Sequence, residues 1–425
     1  MIPGPASSTP TSTRQFKRWL TAPPRPHGAI LKDRTVSNLE LFYDLVYVAV
    51  ISQASRHLAG HISLQGFAEF SVIFGMVWFA WFNGSLYIEL HGREDGRTRL
   101  LVFLQMGILA LIAVFTGDAA GTTGQPFAIA YAAFLALMGW AWYSIRELDR
   151  VERPEFLRIT LLYVAGMVCS TIVIGATAVL PDTWRLPIWA VFLVGWVGFV
   201  LVGSQDRYRQ VEGIAPTDSL VERFGLFTII VLGEVILGVV TGLSTAGADA
   251  LTIATGSLAM VIGFGIWWIY FDLVGRRLPR AGGSIWIWML SHLPIQLSIV
   301  AAGAAIVSLI EHARDPVTPL ATAILLGGSV AIGLLAMILT ERSLEDARRL
   351  VTVYRPMGAG LAIGAVVALV AGWLAPAPWI LAGLLVAVLT VLWFFVVARM
   401  IRAGVWGEEL RAQAEVRVAE PRPAE

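Results

Sequence analysis

Charge is scarce in this chain. Aspartate, glutamate, lysine and arginine supply 14% of its 425 residues, against 57% hydrophobic residues, where a soluble domain carries roughly a quarter charged. The mean hydropathy of +0.72 argues in the same direction, against an ordinary globular enzyme. Cysteine is nearly missing: Cys169 stands alone, which excludes an intramolecular disulfide, a cysteine-built zinc site and a CxxC redox pair. A net charge of +1 predicts no nucleic-acid partner. There is no GxxxxGK[ST] nucleotide loop, no HExxH, no G-x-S-x-G, and no long polar stretch to fold around a cofactor. Neither a cofactor nor a metal is expected, and catalysis is not the leading reading. Residues 1–37 hold Pro3, Pro5, Pro10, Pro23, Pro24 and Pro26 without an apolar core near Met1, so they do not read as a cleavable signal peptide. They and residues 403–425 are expected to be polar cytoplasmic tails, poorly ordered or lying on the surface.

What the chain has in abundance is long apolar runs. A hydrocarbon layer of about 30 Å needs roughly 20 apolar residues of helix, and unpaired backbone cannot face lipid. Segments near 38–60, 66–90, 99–117, 126–145, 158–180 and 186–203 meet this requirement, as do 223–244, 250–275, 284–310, 319–340, 357–374 and 378–401. The fold class predicted is therefore all-α: a polytopic membrane bundle of about twelve transmembrane helices.

The basic residues test this count independently. They gather at the N-terminal tail, at Arg93/Arg97/Arg99, Arg146/Arg150/Arg153/Arg158, Arg207/Arg209/Arg223, Arg276/Arg277/Arg280, Arg342/Arg348/Arg349/Arg355 and the C-terminal tail. Every second link is nearly bare, with Arg185 and Arg314 as exceptions. A wrong count would invert each later loop, and no inversion occurs. The reading is a multipass protein of a bacterial cytoplasmic (inner) membrane with both termini inside, organised as a six-helix half (38–203), a cytoplasmic linker (204–222) and a second half (223–402). The halves echo each other. Ser37-x-x-Glu40-x-Phe42 opens one and Ser219-x-x-Glu222-x-Phe224 the other, each a capping-box pattern. Phe74-Gly75-x-x-Trp78 matches Phe264-Gly265-x-x-Trp268. A parallel 6+6 repeat about an axis along the membrane normal would produce this; so would the frequency of such patterns at membrane helix ends.

Ionisable groups within apolar runs cost several kcal/mol unless paired or hydrated, so each needs an account. Glu40 and Asp44, four apart, share one helix face, with Ser55 further along it. They read either as a cation or proton site or as a helix cap meeting headgroups and arginines. Glu234 lies eleven residues after Arg223, about 16 Å along a helix, too deep for a headgroup, and must point into protein; Thr241 is expected on its face. Asp272 follows an aromatic run and precedes Arg276 and Arg277, so it reads as a site residue or an interfacial salt bridge. His292 stands two before Pro294, which frees the carbonyl of Leu290; a proton-handling role and a satisfied interhelical hydrogen bond both fit. Arg56 and Glu69 are expected to pair, Glu222 and Arg223 to cap and pair, and Asn83 and Glu89 to join the surroundings of Asp44. Gly360 and Gly364 fit close helix packing.

These residues resemble the bacterial low temperature requirement protein A (LtrA) family. The resemblance rests on Glu40-Leu41-Phe42-Tyr43-Asp44-Leu45-Val46-Tyr47, on Glu222 through Glu234 (ERFGLFTIIVLGE), on Trp267-Trp268-Ile269-Tyr270-Phe271-Asp272 and on His292-Leu293-Pro294. It covers approximately 36–400. Tyr43 stands where the family usually has phenylalanine, and Val235 where a small or hydroxyl residue is common. The resemblance implies a multipass bacterial inner-membrane protein associated with growth in the cold, and marks Glu40, Asp44, Glu222, Arg223, Glu234, Asp272 and His292 as motif positions. The leading expectation is a proton- or cation-coupled secondary transporter of a small solute or ion in the lipid bilayer. A non-transporting sensor or scaffold, and an intramembrane lipid-modifying enzyme, are the alternatives.

Overall fold

The computed structural model describes residues 16, 19, 22–29, 34–203, 216–247 and 249–404; most of both expected tails and most of the expected linker lie outside the described residues. Twelve long helices follow in order: α1 (Asn38–Gly60), α2 (Leu64–His91), α3 (Gly96–Thr116), α4 (Gly124–Tyr143), α5 (Pro154–Ala176), α6 (Asp182–Gly203), α7 (Asp218–Ala246), α8 (Ala250–Leu273), α9 (Gly283–Glu311), α10 (Leu320–Arg342), α11 (Val351–Leu374) and α12 (Pro378–Arg402). A short helix, Arg146–Glu152, sits between α4 and α5. Among the described residues, eleven helices are long and apolar enough to cross a membrane. The exception is α1, which carries Glu40, Asp44, Arg56 and His57 within its length. Large apolar side chains stand exposed on the outer faces, Phe103, Ile172, Val194, Ile363 and Val391 among them, as a bundle surrounded by lipid requires and a soluble surface avoids.

Local chemistry sets the helix starts. Asp95 caps α3 by accepting from the Thr98 amide at 2.8 Å, and Pro154 and Pro378 occupy the first turns of α5 and α12, where a missing N–H costs nothing. At α1 the capping box is reciprocal: the Glu40 amide donates to Ser37 Oγ (3.4 Å) and the Ser37 amide to Glu40 Oε1 (3.3 Å). The matching string at α7 does not cap. Thr217 does so instead, accepting from the Leu220 amide at 3.2 Å, so α7 begins before Ser219 and places Glu222 on its exposed face within the first turns.

Asp249 caps α8, accepting from the Leu251 amide (2.9 Å) and Thr252 Oγ1 (2.6 Å), and also receives Arg314 Nε at 2.9 Å. The threonine and arginine donors hold its carboxyl below the usual aspartate range. A depressed folded-state value means a contribution present above the ordinary aspartate pKa, about 3.9, and lost only as pH falls through the lower folded value. Asp249→Asn is therefore expected to lower the thermal midpoint slightly at neutral pH, with the gap from wild type surviving at about pH 4 and closing in stronger acid. Unfolding in detergent across that range measures it.

The described residues divide into two compact units. One comprises those up to Val50 together with Met76–Leu193, the other Ile51–Gly75 and those from Val194 onward. In the first, α4 packs on α3 and α5, and Tyr131 of α4 donates to the Met76 carbonyl at 2.8 Å. In the second, α7 packs on α9, α9 on α10, α10 on α11, and α8 on α12. Close approach is set by glycine. A Cβ on Gly238 of α7 would lie 2.3 Å from the Gly303 carbonyl oxygen of α9, and one on Gly303 would lie 2.6 Å from the Glu234 carbonyl oxygen. Gly360 and Gly364 of α11 meet Phe395 and Leu392 of α12, in keeping with their packing role. The loop after α8 is bonded to the end of α10: a bridge joins Pro279 to Leu344, the Arg280 amide donates to the Ser343 carbonyl (2.8 Å), and the Glu345 amide to the Leu278 carbonyl (3.0 Å).

Candidate functional site

In the first unit the acids of α1 part company. Asp44 is fully buried, and its Oδ1 accepts from Trp81 Nε1 of α2 at 2.9 Å. Tyr43 and Tyr47 flank it, their hydroxyls 2.9 Å apart; the tyrosine at position 43 thus adds a polar group that phenylalanine would lack. Glu40 belongs to a different arrangement. Arg34 bridges Glu40 Oε1, at 2.8 Å, and Glu89 at the end of α2. Glu89 therefore serves this bridge rather than the surroundings of Asp44. Asn83 likewise turns elsewhere, donating to Tyr163 Oη (2.7 Å) and accepting from Trp142 Nε1 (3.0 Å).

In the second unit Glu234 is 4% exposed, buried in the interior of α7 as its distance from Arg223 requires. Its carboxylate accepts from the hydroxyl of Ser52 on α1, and Ser55, one turn on, addresses the same carboxylate. Ser55 thus serves Glu234, and Thr241 is exposed rather than sharing the buried face. Val235 packs against Gly263 of α8, where a Cβ would come within 2.7 Å of Val235 Cγ1; its role is packing. Arg56 is exposed, and Glu69 instead faces His57 at 3.6 Å while accepting from Gln65 at 2.8 Å. The neighbour in sequence takes the place expected for Arg56.

His292 is fully buried on α9, with Nδ1 donating to the Trp288 carbonyl (2.7 Å) and Nε2 lying 3.0 Å from Tyr270 Oη. A carbonyl oxygen can only accept, so Nδ1 carries a proton. Beside it, Gln296 donates to Thr228 Oγ1 at 3.0 Å, and Phe224 and Trp288 pack on the ring. Asp272 accepts from Trp393 Nε1 of α12 at 2.9 Å. It is not the partner of Arg277, which pairs with Asp346 at 2.8 Å. Arg223 is fully buried in α7. Within this unit Glu234, His292 and Asp272 thus have separate hydrogen-bond partners; Asp44 belongs to the other unit. Among the described residues, no group of three or more His, Cys, Asp or Glu side chains is placed to hold a metal ion.

The family description "Bacterial low temperature requirement A protein (LtrA)" matches residues 35–398. The chain belongs to the LtrA family. An uncharacterized protein of Rhizobium meliloti, RA0937, is 30% identical over 284 residues, covering 61% of this chain and 66% of that protein, just under two thirds of its length. No solved structure matches the chain significantly.

Three features of this LtrA-family chain escape sequence reasoning. Part of the N-terminal region is docked rather than loose: Arg25 and His27 are buried, the Arg25 amide donates to the His91 carbonyl (3.1 Å), and His91 Nδ1 returns a bond to the Arg25 carbonyl (2.7 Å). His27 Nδ1 donates to Asp149 at 2.7 Å, and Thr160 to the other Asp149 oxygen at 2.6 Å. Gly28, with φ +74°, makes the turn out of this contact, a backbone conformation that favours glycine. Burial, followed by the charge of Arg34, pulls the Arg25 guanidinium below arginine's usual range. The second feature is Gln105 of α3, fully buried, with both side-chain amide atoms lacking a hydrogen-bond partner. The third is Glu341, at the end of α10. Nothing in the sequence marks any of the three.

Proposed function

We propose that this LtrA-family chain is a secondary transporter of the bacterial cytoplasmic membrane, with both termini cytoplasmic and Glu234 as a residue that binds a proton, a cation or the solute. One observation carries the reading: the Glu234 carboxyl lies buried inside the second unit, served by hydroxyls of α1 rather than turned outward, as an ionisable group at this depth requires. Two small hydroxyls hold a carboxylate without neutralising it, so a cation can replace or join them. The echo between the two halves of the sequence supports a 6+6 transporter, in which Asp44 and His292 are further candidates for binding. The test is proton or solute flux in proteoliposomes. Wild type is expected to exceed empty vesicles, and Glu234→Gln to fall to their baseline. Equal flux in both proteins removes Glu234 from the mechanism.

A non-transporting sensor or scaffold is the second reading, favoured by the private partners of these groups: Asp44 with Trp81, His292 with Tyr270, Asp272 with Trp393. Such bonds suit helix-to-helix fastening. Under this reading Glu234→Gln lowers stability in detergent, and growth in the cold follows only the amount of folded protein.

A further inference from the structure

Glu341 differs from every other buried acid described above. Asp44, Asp149 and Glu234, and the half-buried Asp272, each accept a hydrogen bond from a side chain. Glu341 is 3% exposed, its Oε2 has no hydrogen-bond partner, and among the described residues no basic group forms an ion pair with it. The space beside it is made by Gly358 of α11, where a Cβ would sit 3.5 Å and 3.7 Å from the two carboxyl oxygens. Tyr354, one turn before Gly358, lies within electrostatic reach of Glu341. Its hydroxyl donates to Asp346, 2.9 Å and 3.0 Å from the two oxygens, and Asp346 in turn receives Arg277. The remaining charged neighbour is Arg342, in the same helix and exposed. A carboxylate held this way would be a buried charge with an unfilled acceptor, which costs several kcal/mol; the neutral acid removes most of that cost.

We infer that Glu341 is a proton-binding site, a buried carboxyl at the end of α10 that is held in its neutral, protonated form. The site stands independently of the transport reading.

The probe is dicyclohexylcarbodiimide, an apolar reagent that adds a protonated carboxyl across its N=C=N group and rearranges to a stable N-acylurea, with nothing leaving. The full chain in lipid vesicles at neutral pH is treated and its peptides weighed. The adduct is expected on Glu341 and absent from exposed Glu345; labelling falls as the buffer is made alkaline. The infrared carboxylic C=O band is expected to shrink in Glu341→Gln. No adduct on Glu341, with the band unchanged in the variant, overturns the site. Should Glu341→Gln fail to fold, labelling of wild type decides: an adduct supports the site and its absence overturns it. A labelled Glu341 in a protein without flux removes the transport reading alone, and an unlabelled one with intact flux removes the proton site alone.

Discussion

Gly303→Val is expected to destabilise the protein by about 3 kcal/mol, at the upper end of the cost of forcing atoms into a packed interior. The Cβ would arrive 2.6 Å from the carbonyl oxygen of Glu234 and 2.8 Å from its carbonyl carbon. Those are backbone atoms of α7, which no rotamer change can move aside, so the two helices must separate. Separation also undoes the fit at Gly238, whose own approach is to the Gly303 carbonyl. Because the displaced peptide belongs to Glu234, the transport proposed for this chain is expected to fall with stability. Gly233→Ala is the control. A Cβ there meets nothing within 4 Å, and alanine is favoured over glycine within a helix by about 1 kcal/mol, so that variant is expected to match or exceed wild type. Thermal unfolding in detergent, run on both, reads the contrast.

The second large effect concerns Asp149. This carboxylate is fully buried and accepts from both His27 and Thr160. Asp149→Ala leaves two buried polar groups without their acceptor, a loss of about 3 kcal/mol by analogy with broken buried pairs. Its structural signature is local. The Arg25 amide, bonded to the His91 carbonyl, is expected to exchange its hydrogen much faster once His27 is released, while amides of α9 stay protected. His27→Ala is expected to produce the same local opening, and the double variant to cost less than the sum of the two. Unchanged exchange at Arg25 in either variant would show that the segment is held by its backbone bonds alone.

Helices were far more legible in the sequence than partners. Apolar length and the alternation of arginines place α1 at 38–60 and α8 and α9 within two residues of their observed ends, because membrane thickness and backbone satisfaction leave little freedom. The burial of Glu234 follows from its depth below Arg223. Its partner does not, since Ser52 is 182 residues away and hydroxyls are too common to single out. The two S-x-x-E-x-F strings show how context decides a cap: at Ser37 no better residue precedes the helix, whereas at Ser219 an available Thr217 starts it earlier. Six prolines in the first 37 residues read as loose chain and hide the Arg25–His27 contact, which depends on side chains brought from α2 and the short helix. Glu341 falls one residue beyond the expected end of its helix at 340 and next to Arg342, so it reads as a headgroup-level charge. Only the packing of α11, with glycine at 358, closes over it.

The bonds that tie Leu278, Pro279 and Arg280 to Ser343, Leu344 and Glu345 have a mechanical meaning. They rivet the exit of one helix to the tail of another far along the chain, so neither can slide without dragging its fellow. Gly282, with φ +77° and open space where a Cβ would stand, then carries the chain from this fastening into α9, a left-handed turn that glycine alone makes without strain.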